Sequence, residues 1–367
     1  MKEKLVELKN KLEKYHDTLL GYPVSDDLDY TELSDFLDFP INNIGDPFVP
    51  SNYRIDTREF EKKVVEFFAD LFNAPKENWW GYVTNGGSES NLYGLYIARE
   101  MYPRAMFYHS ESTHYSVQKN LQLLGVPSVV IRSQENGEMD YEDFENTLRI
   151  NRHKPAVIVA NIGTTMTEAR DDVSKIKQIL NKLVISKHYI HADAALSGGY
   201  TAFLNPKPSF DFKDGADSIA ISGHKFIGSP NPSGVVVVKN DNKERIGQVV
   251  EYVGSPDTTI TGSRNGHSPL YLWYSITKYG KEGLKKRADF SLELAEYAET
   301  KLNELGMNAW RNKNTITVVF DKPNKEVCEK WQLATQGDYA HIICMPSVTK
   351  ERIDRFLEDL RKKNNEL

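Results

Sequence analysis

Six short apolar runs alternate with helical patterns in the middle of the chain, and this alternation restricts the fold more than any other feature. The runs lie at 106–109, 128–132, 156–163, 188–195, 218–223 and 234–239. Strands that alternate with helices form crossover units, which build a mostly parallel sheet. Two of the runs, VIVAN and GVVVV, are continuously apolar, as expected for strands buried on both faces. We therefore predict an α/β domain whose mainly parallel sheet is covered by helices.

The pattern changes on both sides of this region. After a helical stretch at 268–305, apolar runs at 315–320 and 340–346 flank a short helical pattern, and a charged helical pattern follows. This order predicts a large domain over 56–305 and a small C-terminal α+β domain over 306–367. Residues 1–55 are predicted to form an N-terminal helix and a loop, rich in Pro, Asn and Gly, that lines a site.

The N-terminal helix is predicted from Leu5, Leu8 and Leu12, which recur at helical spacing between charged residues. Two interpretations stay open for its apolar face. The helix either packs on its own domain or forms an arm that packs on a partner subunit.

Composition excludes several classes of function. The 367 residues include 52 acidic and 46 basic ones, a net charge of −6, which argues against a nucleic-acid partner. Cys328 and Cys344 are the only cysteines, too few for a disulfide framework, so we expect a reduced, cytoplasmic setting. The N-terminus does not resemble a signal peptide, and no run of 18 apolar residues indicates a membrane span.

A lysine follows the fifth apolar run, in SGHKFIGSP at 222–230. A desolvated lysine such as Lys225 can lose its proton and attack a carbonyl as a free amine. The small residues around it suggest a tight loop that holds a ligand. The alternative interpretation is a solvated loop lysine beside a hydrogen-bonded histidine, His224.

An acid ends the fourth run, in HADAALSGG at 191–199. A buried carboxylate at Asp193 requires a cationic partner, and the ring nitrogen of pyridoxal phosphate (PLP) is a suitable one. Alternatives are a helix cap, a structural ion pair, or a metal site in which His191 and Asp193 are both ligands.

Two further motifs carry polar groups. In TNGGSESN (84–91), Gly86 and Gly87 let the backbone approach a ligand and Ser88 opens a helix, so the segment predicts an anion cup for a phosphate. A capped turn is the alternative. In STHYS (112–116), His114 is predicted to lie over an aromatic cofactor ring, although a hydrogen-bonded core histidine would give the same pattern.

Together these places supply a phosphate cup, a stacking imidazole, an acid and an amine, in the order used by PLP enzymes of fold type I. The motifs WGYVTNGGSESN, THYSV, ANIGTT, HADAALSG, SGHKFIGSP and TITGSRNGH resemble the group II PLP-dependent amino-acid decarboxylases. Within that group the chain is most similar to the bacterial histidine decarboxylases, over nearly its whole length.

The resemblance implies a role for each matching residue. Lys225 is expected to hold PLP as a Schiff base, with Asp193 at the pyridinium nitrogen and His114 stacked on the ring, near the substrate. These three are the expected catalytic residues. Further cofactor contacts are implied at the phosphate for Gly87, Ser88 and His224, beside the ring for Thr164, Ala195 and Ser222, and across a homodimer interface for Ser263.

The implied reaction is decarboxylation of L-histidine to histamine and CO2 through an external aldimine and a quinonoid intermediate. Tyr252 and Lys225 are both candidates for the group that protonates Cα. The stretch 253–266 is expected to be a mobile closing loop.

Side-chain specificity has an alternative. The segment NNIGDPFVPSNY resembles the plant serine decarboxylases instead, whereas HADAALSG and LATQGDYAHI resemble histidine decarboxylases. Serine, methionine, leucine and aspartate therefore remain alternative substrates, and a PLP enzyme of different reaction type remains an alternative class.

Overall fold

The computed structural model describes residues 1–243 and 246–364. They divide into two compact units, one made of Ser25–Thr165 and Ala169–Lys285, and the other of Met1–Val24, Met166–Glu168 and the chain from Lys286 onward. The domain boundaries predicted at 55 and 305 stay a prediction. All residues predicted to form the site belong to the first unit.

The helices are α1 (Lys2–His16), α2 (Arg58–Leu71), α3 (Gly87–Met101), α4 (Tyr115–Leu124), α5 (Tyr141–Ile150), α6 (Val173–Lys182), α7 (Gly198–Thr201), α8 (Asn240–Lys243), α9 (His267–Glu304), α10 (Lys325–Lys330) and α11 (Lys350–Asn364). The strands are β1 (Trp80–Thr84), β2 (Met106–Ser110), β3 (Ser128–Ile131), β4 (Ala156–Asn161), β5 (His188–Asp193), β6 (Ser218–Ser222), β7 (Gly234–Val238), β8 (Gln248–Val250), β9 (Ser255–Asp257), β10 (Thr317–Asp321), β11 (Ala334–Gln336) and β12 (Tyr339–Ile343). A 3-10 helix spans Thr31–Asp38 and a π-helical turn spans His224–Gly228.

A seven-stranded sheet forms the core of the first unit, in the order β1-β7-β6-β5-β4-β2-β3. Strands β2 to β6 pair in parallel, and β7 runs antiparallel to both of its neighbours. Every residue of β4, β6 and β7 is buried, as their continuous apolar sequences predicted. The predicted α/β class is confirmed, and β1 is an additional edge strand outside the six predicted runs.

The second unit contains a small antiparallel sheet in the order β10-β12-β11. This arrangement confirms a small α+β element near the C-terminus. Strand β11 was not predicted, because α10 ends at Lys330, earlier than its helix-like sequence suggested. The long predicted helix is α9, which has a kink at Gly280, where φ is 58°.

Helix α1 has an uncovered apolar face. None of its residues is buried, and Leu5, Leu8 and Leu12 are 60%, 49% and 60% exposed. Packing of this helix on its own chain, one of the two sequence-based interpretations, is therefore not what the structure has. No helix among the described residues combines the length and apolar character that crossing a membrane requires.

Candidate active site

Except for Ser263, the predicted site residues lie at or after the carboxyl ends of five strands at one edge of the sheet. Asn161 of β4 is the pairing partner of Asp193 of β5. Thr84 of β1 and Ser222 of β6 both pair with the same residue of β7, which lies between these two strands. Since β1, β2, β4, β5 and β6 all run in the same direction, the segments that follow them meet at this edge. Those segments contain Gly87 and Ser88, His114, Thr164, Ala195, and His224 and Lys225.

The imidazole of His114 lies within the electrostatic reach of both Asp193 and Lys225. Its pKa is lowered, mainly by burial, while the charge of Asp193 raises it and the charge of Lys225 lowers it. The structure thus brings together the three residues that the sequence marked as catalytic. His114 also caps α4, since the Ser116 N–H donates to its Nδ1 over 3.3 Å.

Lys225 is half-buried in the π-helical turn directly after β6. Its backbone departs from the helical region, with φ −83° and ψ −109°. The neighbouring His224 packs its Nδ1 against Ser233, 2.8 Å from the carbonyl oxygen and 3.1 Å from the backbone nitrogen. Burial lowers the pKa of His224, and the charge of Lys225 lowers it further. The turn therefore presents an amine and a neutral imidazole side by side.

A close backbone approach shapes the start of α3. A Cβ added at Gly87 would overlap the Oγ of Ser222 and lie 3.4 Å from the Cβ of Ala195. The structure thus joins three predicted cofactor contacts in one cradle, which a side chain at position 87 would fill. Gly86 precedes it with φ 154°, and backbone N–H groups at the start of a helix favour an anion.

Asp193 is an acid buried to 6% exposure, and it accepts hydrogen bonds from Asn91 Nδ2 at 2.8 Å and from the Ala195 N–H at 3.2 Å. It forms no salt bridge with any described residue. A buried carboxylate without a cation is unfavourable unless a ligand supplies one. Together with the cradle at Gly87, this site fits a ligand with a cationic ring nitrogen and a phosphate, the two groups that PLP carries.

Thr164 and Ser263 occupy different surroundings. Thr164 is buried, and its Oγ1 accepts a hydrogen bond from the Ala169 N–H at 2.9 Å. Ser263 is exposed between β9 and α9, where Asn42 donates to its Oγ over 3.1 Å. No contact within the described chain joins Ser263 to the other predicted residues. Tyr252, a candidate proton donor, is 84% exposed.

The predicted site-lining and closing segments are tied together by a buried ion pair. Arg264 pairs with Glu61, which is fully buried and also accepts from Asn43 Nδ2 at 2.8 Å. Arg264 donates in addition to the Gly45 carbonyl at 2.8 Å. Sequence reasoning did not single out either ion-pair partner, because the charge pattern of α2 resembles that of a solvated helix.

Asn91 was also missed as a site residue. It stands within the TNGGSESN motif but carries its amide on the buried face of α3, against Asp193 and His191. His191 has both ring nitrogens engaged, Nδ1 with Ser218 Oγ at 2.7 Å and Nε2 with Asn91 Oδ1 at 2.9 Å. Both ring nitrogens of His191 thus face protein partners, so this geometry gives no support to the alternative in which His191 and Asp193 ligate a metal. Nor do the described residues contain any group of three potential metal ligands.

Residues 33–321 match the family described as the pyridoxal-dependent decarboxylase conserved domain. A histidine decarboxylase from Mesorhizobium japonicum is 48% identical over 99% of this chain and 98% of its own. Serine decarboxylase 2 from Oryza sativa subsp. japonica is 42% identical over 96% of this chain and 75% of its own.

Among solved structures, L-methionine decarboxylase from Streptomyces sp. 590, in its internal aldimine form, has a TM-score of 0.89 and 27% identity. The match covers 98% of this chain and 93% of that one. The fold of this chain thus agrees with that of a decarboxylase solved in its internal aldimine form.

Proposed function

The chain belongs to the pyridoxal-dependent decarboxylases and uses PLP, and from this premise we propose that it converts L-histidine to histamine and CO2. Several histidine decarboxylases are 44–48% identical to it over most of their length. The observation that supports the reaction itself is the convergence of His114, Asp193 and Lys225 at one sheet edge.

PLP, when bound, supplies the electron sink that lets the carboxylate leave as CO2. We propose that Lys225 holds the cofactor through its Nζ, which the turn after β6 presents beside His224. Asp193 would face the ring nitrogen and keep its proton in place, since a buried carboxylate stabilises a neighbouring cation. Both roles rest on residues that the structure gathers in the first unit.

The orientation of His114 suggests what it contributes. Because the Ser116 N–H donates to Nδ1, the neutral ring carries its proton on Nε2. Burial lowers its pKa, so the ring is neutral at pH 7. His114 would stack on the cofactor ring and donate Nε2–H to the substrate carboxylate, holding the breaking bond in the productive orientation.

The other predicted contacts fit the remaining parts of the cofactor. Gly87, Ser88 and His224 would hold the phosphate at the start of α3, where helix N–H groups favour negative charge. Thr164, Ala195 and Ser222 would border the ring. The cradle at Gly87 supports this assignment, because Ala195 and Ser222 lie directly against it.

We also propose a homodimer, with Ser263 reaching the phosphate held by the partner subunit. The uncovered apolar face of α1 and the exposure of Ser263 support this arrangement. Cys328 and Cys344 are both free thiols, which supports a reduced, cytoplasmic setting.

A panel of L-amino acids tests the substrate. With added PLP, CO2 and amine release are measured for histidine, serine, methionine, leucine and aspartate. We expect histidine to give a kcat/KM at least about 100-fold above the others, because a site built for a polar ring rejects analogues that leave its polar groups unpaired. Serine is the second candidate, because NNIGDPFVPSNY resembles the plant serine decarboxylases. A higher kcat/KM for serine than for histidine would make serine the substrate. A keto acid product would overturn decarboxylation.

A further inference from the structure

A chain of three hydrogen bonds leads to Asp193 through side chains to which the proposed reaction assigns no role. Ser218 Oγ lies 2.7 Å from His191 Nδ1, and His191 Nε2 lies 2.9 Å from Asn91 Oδ1. Asn91 Nδ2 then lies 2.8 Å from Asp193 Oδ2. All four side chains are buried, with exposed fractions from 0% to 6%. These hydrogen bonds thus connect β6, β5 and α3 in the interior of the protein, where the side chains are shielded from water.

The direction of every bond follows from Asp193. An ionised carboxylate only accepts, so Asn91 must turn its Nδ2 towards Asp193 and its Oδ1 towards His191. His191 must then donate from Nε2, which leaves Nδ1 to accept the proton of Ser218. Burial lowers the pKa of His191 to about 3, so the ring is neutral at pH 7. Aligned donors of this kind polarise one another and strengthen the last bond.

The helix opposite His191 leaves room for this arrangement. A Cβ added at Gly94 would overlap His191 Nδ1 and lie 2.6 Å from its Cε1. It would also lie 2.9 Å from Ser218 Oγ. The polar ring of His191 thus fills a buried space between helix and sheet. An apolar side chain could fill the same space without needing hydrogen-bond partners.

We propose that Asn91 and His191 are positioning residues that hold Asp193 as an aligned acceptor for the cofactor's ring nitrogen. Asn91 and the Ala195 N–H fix one oxygen each of the carboxylate, and His191 fixes the amide of Asn91. This inference rests on the proposed function, in which Asp193 faces that nitrogen. It extends the site one layer behind the residues that touch the cofactor.

The test compares His191→Phe with His109→Phe, since His109 is a buried histidine of the same sheet that does not reach Asp193. His191→Phe should lower kcat about 10- to 100-fold with KM little changed, as loss of an orienting partner does. It should also weaken PLP binding to the cofactor-free protein about 10-fold, measured by equilibrium dialysis. His191→Gln keeps a side-chain donor and should recover most of both losses. His109→Phe should change neither by more than about 2-fold.

A second measurement needs neither cofactor nor activity. In cofactor-free protein labelled with 15N-histidine, the His191 resonances should show an Nε2-protonated neutral ring that does not titrate between pH 5 and pH 8. An Nδ1-protonated ring, or a titration near the ordinary pKa, would overturn the positioning role. So would a His191→Phe variant that keeps the wild-type affinity for PLP. Failure of the wild type to release CO2 from any amino acid would overturn the proposed function, while the resonances and the PLP affinity would still decide the positioning role.

A different observation supports a second site at the opposite edge of the sheet. Segments 101–104, 152–155 and 184–187, which precede β2, β4 and β5, line an open surface cavity of about 710 Å³. Its lining includes four fixed cations, Arg104, Arg152, Lys154 and Lys187. Among the described residues, no aspartate or glutamate lines it, and none of the four cations has an ion pair.

Like charges around one cavity repel one another and attract anions. Tyr102, Pro155 and the buried Ile185 add an apolar surface, and the volume lies in the range of small-molecule sites. We infer that this cavity binds a phosphorylated small molecule with an apolar ring, independently of the reaction at the other edge.

Titration of the PLP-loaded protein with ADP and with inorganic phosphate tests this site, because bound PLP keeps the catalytic phosphate cup filled. ADP should bind in 0.15 M salt with a Kd below about 1 mM and more tightly than phosphate. Lys187→Glu should raise that Kd at least about 10-fold, whereas Lys76→Glu, at an exposed lysine outside the cavity, should leave it unchanged. Absence of ADP binding, or equal losses in the two variants, would overturn the inference.

Discussion

Lys225 is the residue on which the proposed reaction depends most directly. Its amine is half-buried beside His224, and its charge reaches His114. Lys225→Ala should abolish covalent attachment of PLP and lower CO2 release at least about 1,000-fold, because it removes the amine proposed to hold the cofactor aldehyde. Borohydride reduction followed by peptide mass analysis measures the attachment. Lys63→Ala, at an exposed lysine on α2, is the control and should behave like the wild type.

Attachment of PLP to a different lysine in the wild-type protein would contradict the assignment. So would turnover by Lys225→Ala at more than a few per cent of the wild-type rate.

Single residues also show which parts of the candidate site the sequence could indicate. Lys225, Asp193 and His114 were recognisable because each follows an apolar strand, and strand ends of one direction share an edge. Asn91 was not, since nothing in a helical pattern shows which polar residue turns towards the sheet. Its proposed role depends on the packing of α3, which places the side-chain amide of Asn91 between His191 and Asp193.

Among the elements, the strands buried on both faces were the most predictable. Continuous apolar runs such as 156–161 leave no alternative to burial, whereas β1 mixes aromatic residues with Gly81 and Thr84 and gives no such pattern. Strand β11 has only three residues and follows a helical pattern directly. Short edge strands are defined by their neighbours, which the local sequence does not contain.

The buried pair of Glu61 and Arg264 joins α2 to the segment before α9. Glu61→Gln should lower the free energy of unfolding by about 3 kcal/mol, because it leaves Arg264 buried without a counter-charge. Glu59→Gln, on the same helix, breaks an exposed pair with Lys63 and should change stability by less than about 1 kcal/mol. Urea unfolding of both variants measures the difference. Equal effects in the two would show that the buried pair does not stabilise this junction.

For the whole molecule, the apolar face of α1 should be covered in the assembled enzyme. Replacing Leu5 and Leu12 by Ser should raise the dimer dissociation constant at least about 100-fold, since each buried leucine contributes about 2 kcal/mol. Sedimentation velocity over a concentration series measures it. The control replaces Lys4 and Lys11, on the same helix, by Ser and should leave the dimer intact. An unchanged dissociation constant in the leucine variant would place α1 outside the interface.

Acid should destabilise the whole fold through His191. Its pKa is about 3 in the folded protein, against an ordinary value of 6.5, so the unfolded chain binds a proton that the folded chain excludes. The stability that His191 contributes is therefore complete above pH 6.5 and decreases as the pH falls towards 3. Between pH 7 and pH 5 this loss amounts to about 2 kcal/mol.

The comparison between variants isolates that effect. From pH 7 to pH 5, the free energy of unfolding of His191→Phe should decrease by about 2 kcal/mol less than that of the wild type, measured by urea unfolding of the cofactor-free protein. His153→Phe, at an exposed histidine on the surface, is the control and should follow the wild type. Parallel pH dependences for His191→Phe and the wild type would mean that the imidazole already takes up a proton in the folded protein between pH 7 and pH 5. It could not then accept the proton of Ser218, and the chain of hydrogen bonds to Asp193 would lose the direction that its geometry requires.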